Sequence, residues 1–194
     1  RHPRLLHSLP PRRPSVPSLE WAGLMDWVKK QTRNLAAHGY VALAVDLYRG
    51  QSSKDPDTAH QLMRALPEDR AMKYLRGGYQ VLAAAPAVQH KQIGAIGWCM
   101  GGGLAAALAV NEPRLKAAVI NYGSLPDSRK NIKRIKAHLL GTFVGLDKGI
   151  SVADARKFKA AVAKFRVQLE SHQGPHSGPG SMNSTHHNHQ FTAT

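Results

Sequence analysis

Between Gln92 and Val110 the chain passes from an apolar segment, through a cysteine flanked by glycines, into a run of small residues. Few folds accept that order. Ile93 and Ile96 lie in the entering segment, Gly97-Trp98-Cys99-Met100-Gly101 makes the turn, and an alanine-rich segment with Gly102 and Gly103 leaves it. The pattern predicts a strand, a tight turn and a helix in immediate succession. Glycine on either side of the cysteine removes the Cβ atoms that would clash where a strand reverses sharply into a helix. Such an elbow lifts the Cys99 side chain out of the sheet and sets it at the positive end of the helix. Open N–H groups and the helix dipole there favour an anion, so they lower a thiol pKa and can hold an oxyanion. Inert packing is the other common use of a lone cysteine; the strand before it and the helix after it favour the nucleophile.

The rest of the chain fits one domain around that elbow. Its 194 residues can bury a full core. The longest apolar run, Leu104 to Val110, is too short to span a bilayer. A single cysteine excludes an intrachain disulfide framework, which points to a reducing, cytoplasmic setting. The formal charge of +15 is concentrated in two places, Arg1, Arg4, Arg12 and Arg13, and then Arg129, Lys130, Lys133, Arg134 and Lys136. Neither cluster carries aromatic interleaving or a nucleic-acid motif, so no nucleic-acid partner is expected. A positively biased surface that attracts carboxylate-bearing substrates is the simpler reading.

Residues 1–19 hold Pro3, Pro10, Pro11, Pro14 and Pro17, which argue against a helix or a central strand. The segment is expected to be a poorly ordered flank. Residues 20–171 carry the domain. Met25 to Ala37 reads as an amphipathic helix stopped by Gly39, and Tyr40 to Val45 as a strand buried on both faces. Asp57 to Leu66 and Pro67 to Ala85 read as helices, with Gly77-Gly78 weakening the second. Leu115 to Asn121 and Ala137 to Leu146 are further strands, Ser151 to Phe165 a helix and Arg166 to Ser171 a short last strand. Strands alternating with helices predict an α/β fold with an open, mainly parallel sheet and helices on both faces; sites then lie beyond the carboxyl ends of the strands. From His172 to Thr194 the chain is uncharged and rich in Gly, Ser and His, a composition expected to be disordered. His186, His187 and His189 lack a carboxylate partner there, so no metal site is assigned.

A thiolate nucleophile needs a base to form it and a proton donor for the leaving group, and histidine serves both near neutral pH. The order nucleophile, acid, histidine matches Cys99, Asp147 and His176, each following a predicted strand. His189 is the alternative base.

Four stretches, in order, resemble the dienelactone hydrolase family (carboxymethylenebutenolidases): Glu20-Trp-Ala-Gly-Leu24, Gly39 to Gly50, Gly97-Trp-Cys-Met-Gly-Gly102 and Gly145-Leu-Asp-Lys-Gly-Ile150. The resemblance covers roughly residues 20–171. It implies an α/β-hydrolase fold and a Cys-Asp-His triad acting on a cyclic enol ester without a cofactor. By the same resemblance Glu20 pairs with the resting cysteine and helps generate the thiolate. The backbone N–H groups of Met100 and Trp21 form the oxyanion hole, and Arg49, one residue out of register, holds a substrate carboxylate. Two departures stand out. Family members carry apolar strands before the glutamate, where this chain has its proline-rich flank, so the sheet is expected to lack its first strands. The family's Gly-x-Gly-His-x-Phe becomes Gly174-Pro-His176-Ser-Gly178, while His189-Gln-Phe191 keeps the aromatic farther along. The expected activity is therefore hydrolysis of a lactone or related ester by a monomer, with no membrane partner. A catalytically impaired scaffold with a binding role is the other reading that these departures leave open.

Overall fold

Apolar runs of a few residues, each closed by a polar or glycine-containing turn, alternate with longer amphipathic ones, and the fold follows that alternation. The computed structural model describes residues 13–17, 24–144, 152–163 and 169–174. In chain order these form β1 (Arg13–Pro17), α1 (Asp26–Ala37), β2 (Tyr40–Ala42), α2 (Pro56–Arg64), α3 (Glu68–Ala84) and β3 (Gly94–Trp98). Then come α4 (Met100–Asn111), β4 (Ala117–Asn121), α5 (Arg129–Arg134), β5 (His138–Val144), α6 (Val152–Ala163) and β6 (Leu169–Gly174). Glycine at φ +88 stops α1 at Gly39, as the sequence predicts. Asp55 caps α2, accepting from the Thr58 N–H at 2.9 Å, with Pro56 in the first turn.

The six strands lie in the order β2-β1-β3-β4-β5-β6, and every pairing is parallel. All carboxyl ends therefore point to one edge. From β1 the chain steps to β2 on one side, and from β3 onward it steps steadily to the other. Right-handed crossovers then place α1 on one face and α3 to α6 on the opposite face. Consistent with this, Leu35 of α1 lines a groove with Ile96 and Val119, while α3, α4, α5 and α6 touch one another in series. The strand order reverses between β1 and β3, which makes the crevice at their carboxyl ends the switch point of the sheet.

Most of the core lies on the α3–α6 side, while Trp27 and Val28 of α1 bury against the other face. Leu75, Tyr79, Leu108, Ala118, Ile120 and Val162 are all but inaccessible, and each large aliphatic side chain buried in this way stabilises by about 1.5–3 kcal/mol. Helix α4 is apolar on every side and sits at the centre of that layer. It ends at Glu112, a buried acid at the negative end of a helix, an unfavourable placement by itself. Arg114 answers it with Nε to Oε1 at 2.7 Å and Nη2 to Oε2 at 2.9 Å, and stands 5.0 Å over the Tyr79 ring. Hydrogen bonds from Arg114 hold the Glu112 carboxyl below its ordinary value although burial pushes it up.

Four expectations change. The proline-rich flank is not strandless: residues 13–17 form β1, an interior strand paired to both β2 and β3. The physical reason lies in where the prolines fall. Pro14 is second in the strand and Pro17 last, and a residue before proline is driven toward extended backbone, which applies to Arg13 and Val16. A first strand of this domain is therefore present where none was expected. Next, β2 stops at Ala42 rather than Val45; its neighbour β1 ends in a proline, which has no N–H to extend the ladder. Third, the basic cluster after Ser128 contains α5, capped by the Ser128 hydroxyl accepting from the Asn131 N–H at 3.1 Å. At the other end β6 runs to Gly174, beyond the expected boundary at 171.

Candidate active site

The elbow forms as the residue pattern predicts. Trp98 is the last residue of β3 and Met100 the first of α4, so Cys99 alone makes the reversal, at φ 53 and ψ −121. A side chain in that region is strained by about 1–3 kcal/mol and persists only where its surroundings over-determine it. Those surroundings come largely from β4. The Cys99 N–H donates to the Asn121 carbonyl at 3.0 Å, and the Asn121 amide donates to the Gly97 carbonyl at 3.1 Å. Gly102 and Gly103 press against the loop after β4, with no room for a Cβ at Gly102 and a tight fit at Gly103. A Cβ on Gly102 would lie 2.7 Å from the Asn121 carbonyl oxygen, and one on Gly123 would lie 2.2 Å from the Gly103 nitrogen.

Chain direction decides which amides remain for a ligand. The N–H groups of Gly102 and Gly103 turn back to the Cys99 carbonyl at 3.0 and 3.2 Å. That of Met100, first in the helix, has no intrahelical acceptor by position. Cys99 itself is half-buried. On the other side, the Tyr48 hydroxyl donates to Met100 Sδ at 3.6 Å, and burial pushes the Tyr48 pKa up to about 12.

Among the described residues, three non-glycine residues have positive φ: Arg49, Cys99 and Tyr122. They follow β2, β3 and β4 respectively, so the strain gathers along the carboxyl edge, next to the switch point. Strain concentrated in this way is a mark of functional sites. Arg49 is exposed, and its Nε donates to the Tyr74 hydroxyl of α3 at 3.0 Å. The Asp46 carboxylate holds this loop by accepting from the N–H groups of Tyr48 and Gly50.

Of the residues singled out in the sequence, Cys99, Met100 and Arg49 are described at this edge. Glu20, Trp21, Asp147, His176 and the alternative His189 lie outside the described residues. Sequence reasoning passed over Asn121, Gly123 and Tyr48. A polar residue ending an apolar strand was the available signal for Asn121, whereas the other two act through contacts between distant segments. A groove of 290 Å³ lies beside the loop after β4, lined by Ser124, Leu125, Ile132 and Phe158 among others; neither Cys99 nor Met100 lines it. No group of three or more His, Cys, Asp or Glu residues is arranged to hold a metal among the described residues, and no helix among them is long and apolar enough to cross a membrane.

Comparison with known proteins agrees with this architecture. The chain is 28% identical over 187 residues to a protein of Saccharolobus solfataricus named "Putative carboxymethylenebutenolidase", covering 76% of this chain and 71% of that one. It is 29% identical over 147 residues to a protein of the same name from Aquifex aeolicus, covering 69% of this chain and 64% of the relative. The chain thus spans about two thirds of the length of these relatives. The crystal structure of a dienelactone hydrolase-like promiscuous phosphotriesterase from metagenomic libraries superposes with a TM-score of 0.79 at 23% identity, over 87% of this chain and 72% of that one, and shares its α/β-hydrolase fold. A family model described as "Dienelactone hydrolase family" matches residues 15–180. With an elbow cysteine at the switch point of a parallel sheet and a family match over most of its length, the chain belongs to the dienelactone hydrolase family.

Proposed function

We propose that this protein hydrolyses a lactone, typically a cyclic enol ester bearing a carboxylate, or a related ester, with Cys99 as nucleophile and without a metal or cofactor. The observation that carries the reading is the left-handed Cys99 between β3 and α4, at the sheet's switch point and one residue before an amide with no helical acceptor. Chain distances support the remaining roles. Glu20 is three residues past the end of β1, Asp147 three past the end of β5, and His176 two past the end of β6. At about 3.5 Å per residue, none of the three can be more than about 11 Å from the end of its strand, whereas His189 is fifteen residues beyond β6.

In the proposed reaction the Cys99 thiol passes its proton to His176, which becomes the imidazolium, with Glu20 assisting, and the thiolate attacks the lactone carbonyl. A C–S bond forms, and the carbonyl oxygen becomes an oxyanion facing the N–H groups of Met100 and Trp21. Collapse breaks the ring C–O bond, and the departing enolate takes a proton from the His176 imidazolium, which Asp147 orients. A water then loses a proton to His176 and attacks the thioester, releasing the acid and the thiolate. Arg49 meets the substrate carboxylate. The protein acts as a cytoplasmic monomer on a small molecule, with neither a nucleic-acid nor a membrane partner.

Turnover of 4-nitrophenyl acetate and of a dienelactone, with mass spectrometry of the quenched protein, tests this. The wild type should show a mass increase equal to one acyl group. Cys99→Ala should lose that adduct and at least about 10³-fold in kcat with an unchanged thermal midpoint. Full turnover by Cys99→Ala would sink the proposal. A folded wild type that never forms the adduct would favour the non-catalytic scaffold.

A further inference from the structure

We infer that Tyr48 is a positioning residue for the elbow: its hydroxyl anchors the Met100 side chain and so fixes the peptide that faces the oxyanion. The inference rests on the hydrolase reading given above. Cys99 is clamped from one side by β4, through Asn121 and the backbone contact of Gly102 and Gly103 with Gly123 and Ser124. Tyr48 supplies a hold on the other side, from the loop that follows β2. It is well placed to do so. The ring is 5% exposed, and the backbone is pinned by the Asp46 carboxylate, which accepts the Tyr48 N–H at 2.9 Å.

Methionine has three rotatable bonds and a soft sulfur, so an unanchored Met100 would sample several rotamers in the first turn of α4. A hydroxyl donated to its sulfur selects one of them. Because burial keeps the phenol protonated far above neutral pH, the donor persists wherever the enzyme works. An amide held in advance at the position of developing charge lowers the barrier without strengthening ground-state binding. Loss of the anchor should therefore appear in kcat and not in KM.

The test is a double-mutant cycle on the full chain with 4-nitrophenyl acetate. Tyr48→Phe keeps the ring and removes only the hydroxyl, and Met100→Leu removes the sulfur. Tyr48→Phe should lower kcat about 10-fold, short of the roughly 10²–10³-fold loss of a whole oxyanion donor, with KM within about twofold and little change in thermal midpoint. The double variant should be no slower than the slower single one. Wild-type kcat in Tyr48→Phe, or losses that multiply in the double variant, would overturn the inference. So would a fall in melting temperature with normal kcat, the mark of a purely structural tyrosine. A wild type without turnover or acyl adduct defeats the hydrolase reading, and the amide and ε-methyl NMR resonances of Met100 then decide this one. Their displacement by Tyr48→Phe supports the anchor, and unmoved resonances refute it. If Tyr48→Phe does not fold, Met100→Leu is compared with wild type in kcat, and a wild-type kcat in that variant refutes the inference.

Discussion

At the scale of the residue, buried polar groups here are placed where a backbone element would otherwise be left wrong. Asn121 joins two strand ends and receives the N–H of a strained cysteine. Glu112 stands at the disfavoured end of α4 and is made tolerable by Arg114. Its carboxyl titrates lower in the folded protein than in the unfolded chain. The unfolded chain therefore takes up that proton first as pH falls. The stabilisation is complete above the ordinary carboxyl value of about 4.5 and fades as pH drops through the folded value. Glu112→Gln should cost about 1 kcal/mol at pH 7, a figure kept small because the arginine is largely in water. Urea melts from pH 7 down to pH 3 should show a shallower acid limb for the variant than for the wild type. Identical slopes would remove Glu112 from the account.

At the scale of the element, glycines with the same sequence appearance have opposite meanings. Gly77 lies inside α3 with open space where a Cβ would be, so Gly77→Ala should raise stability by about 0.5–1 kcal/mol. Gly123 meets the backbone of α4, so Gly123→Ala should cost at least about 1–3 kcal/mol and disturb the elbow. Calorimetry on both variants checks the contrast; equal shifts would contradict it. This contrast also marks how much the sequence could disclose. The β3–α4 elbow was legible because strand, turn and helix signals are all local. So were α1 and its glycine stop. Helix α5, at six residues, is shorter than two turns and offers no period to read. Strand β1 was hidden by prolines whose effect depends on their position within the ladder. Cys99 announced itself, while Tyr48 and Gly123 become meaningful only after chain segments far apart in sequence have met.

At the scale of the whole molecule, the edge strand β2 is joined to the rest of the sheet only through the five residues of β1. Ser15 is paired with Ala42 of β2 and with Gly94 of β3. Ser15→Pro removes an N–H that one of those neighbours receives, and should cost about 1–3 kcal/mol. Hydrogen exchange should then show the loosening first in β2 and α1, with β4 and β5 still protected. Uniform loss of protection would mean that the six strands open as one unit.

The interior place of β1 also sets an order of events at synthesis. Ser15 must wait for Gly94, about eighty residues later, before its second neighbour exists, and closing so long a loop is a slow, entropically costly step. During that delay the young chain carries an extended segment with a bare side, the sort of edge that recruits strands from other chains. Pro14 and Pro17 are three residues apart and face opposite sides of the strand, so one of them withholds an amide proton from any such visitor, and a residue that disguises this strand in the sequence also guards it until its proper neighbour arrives.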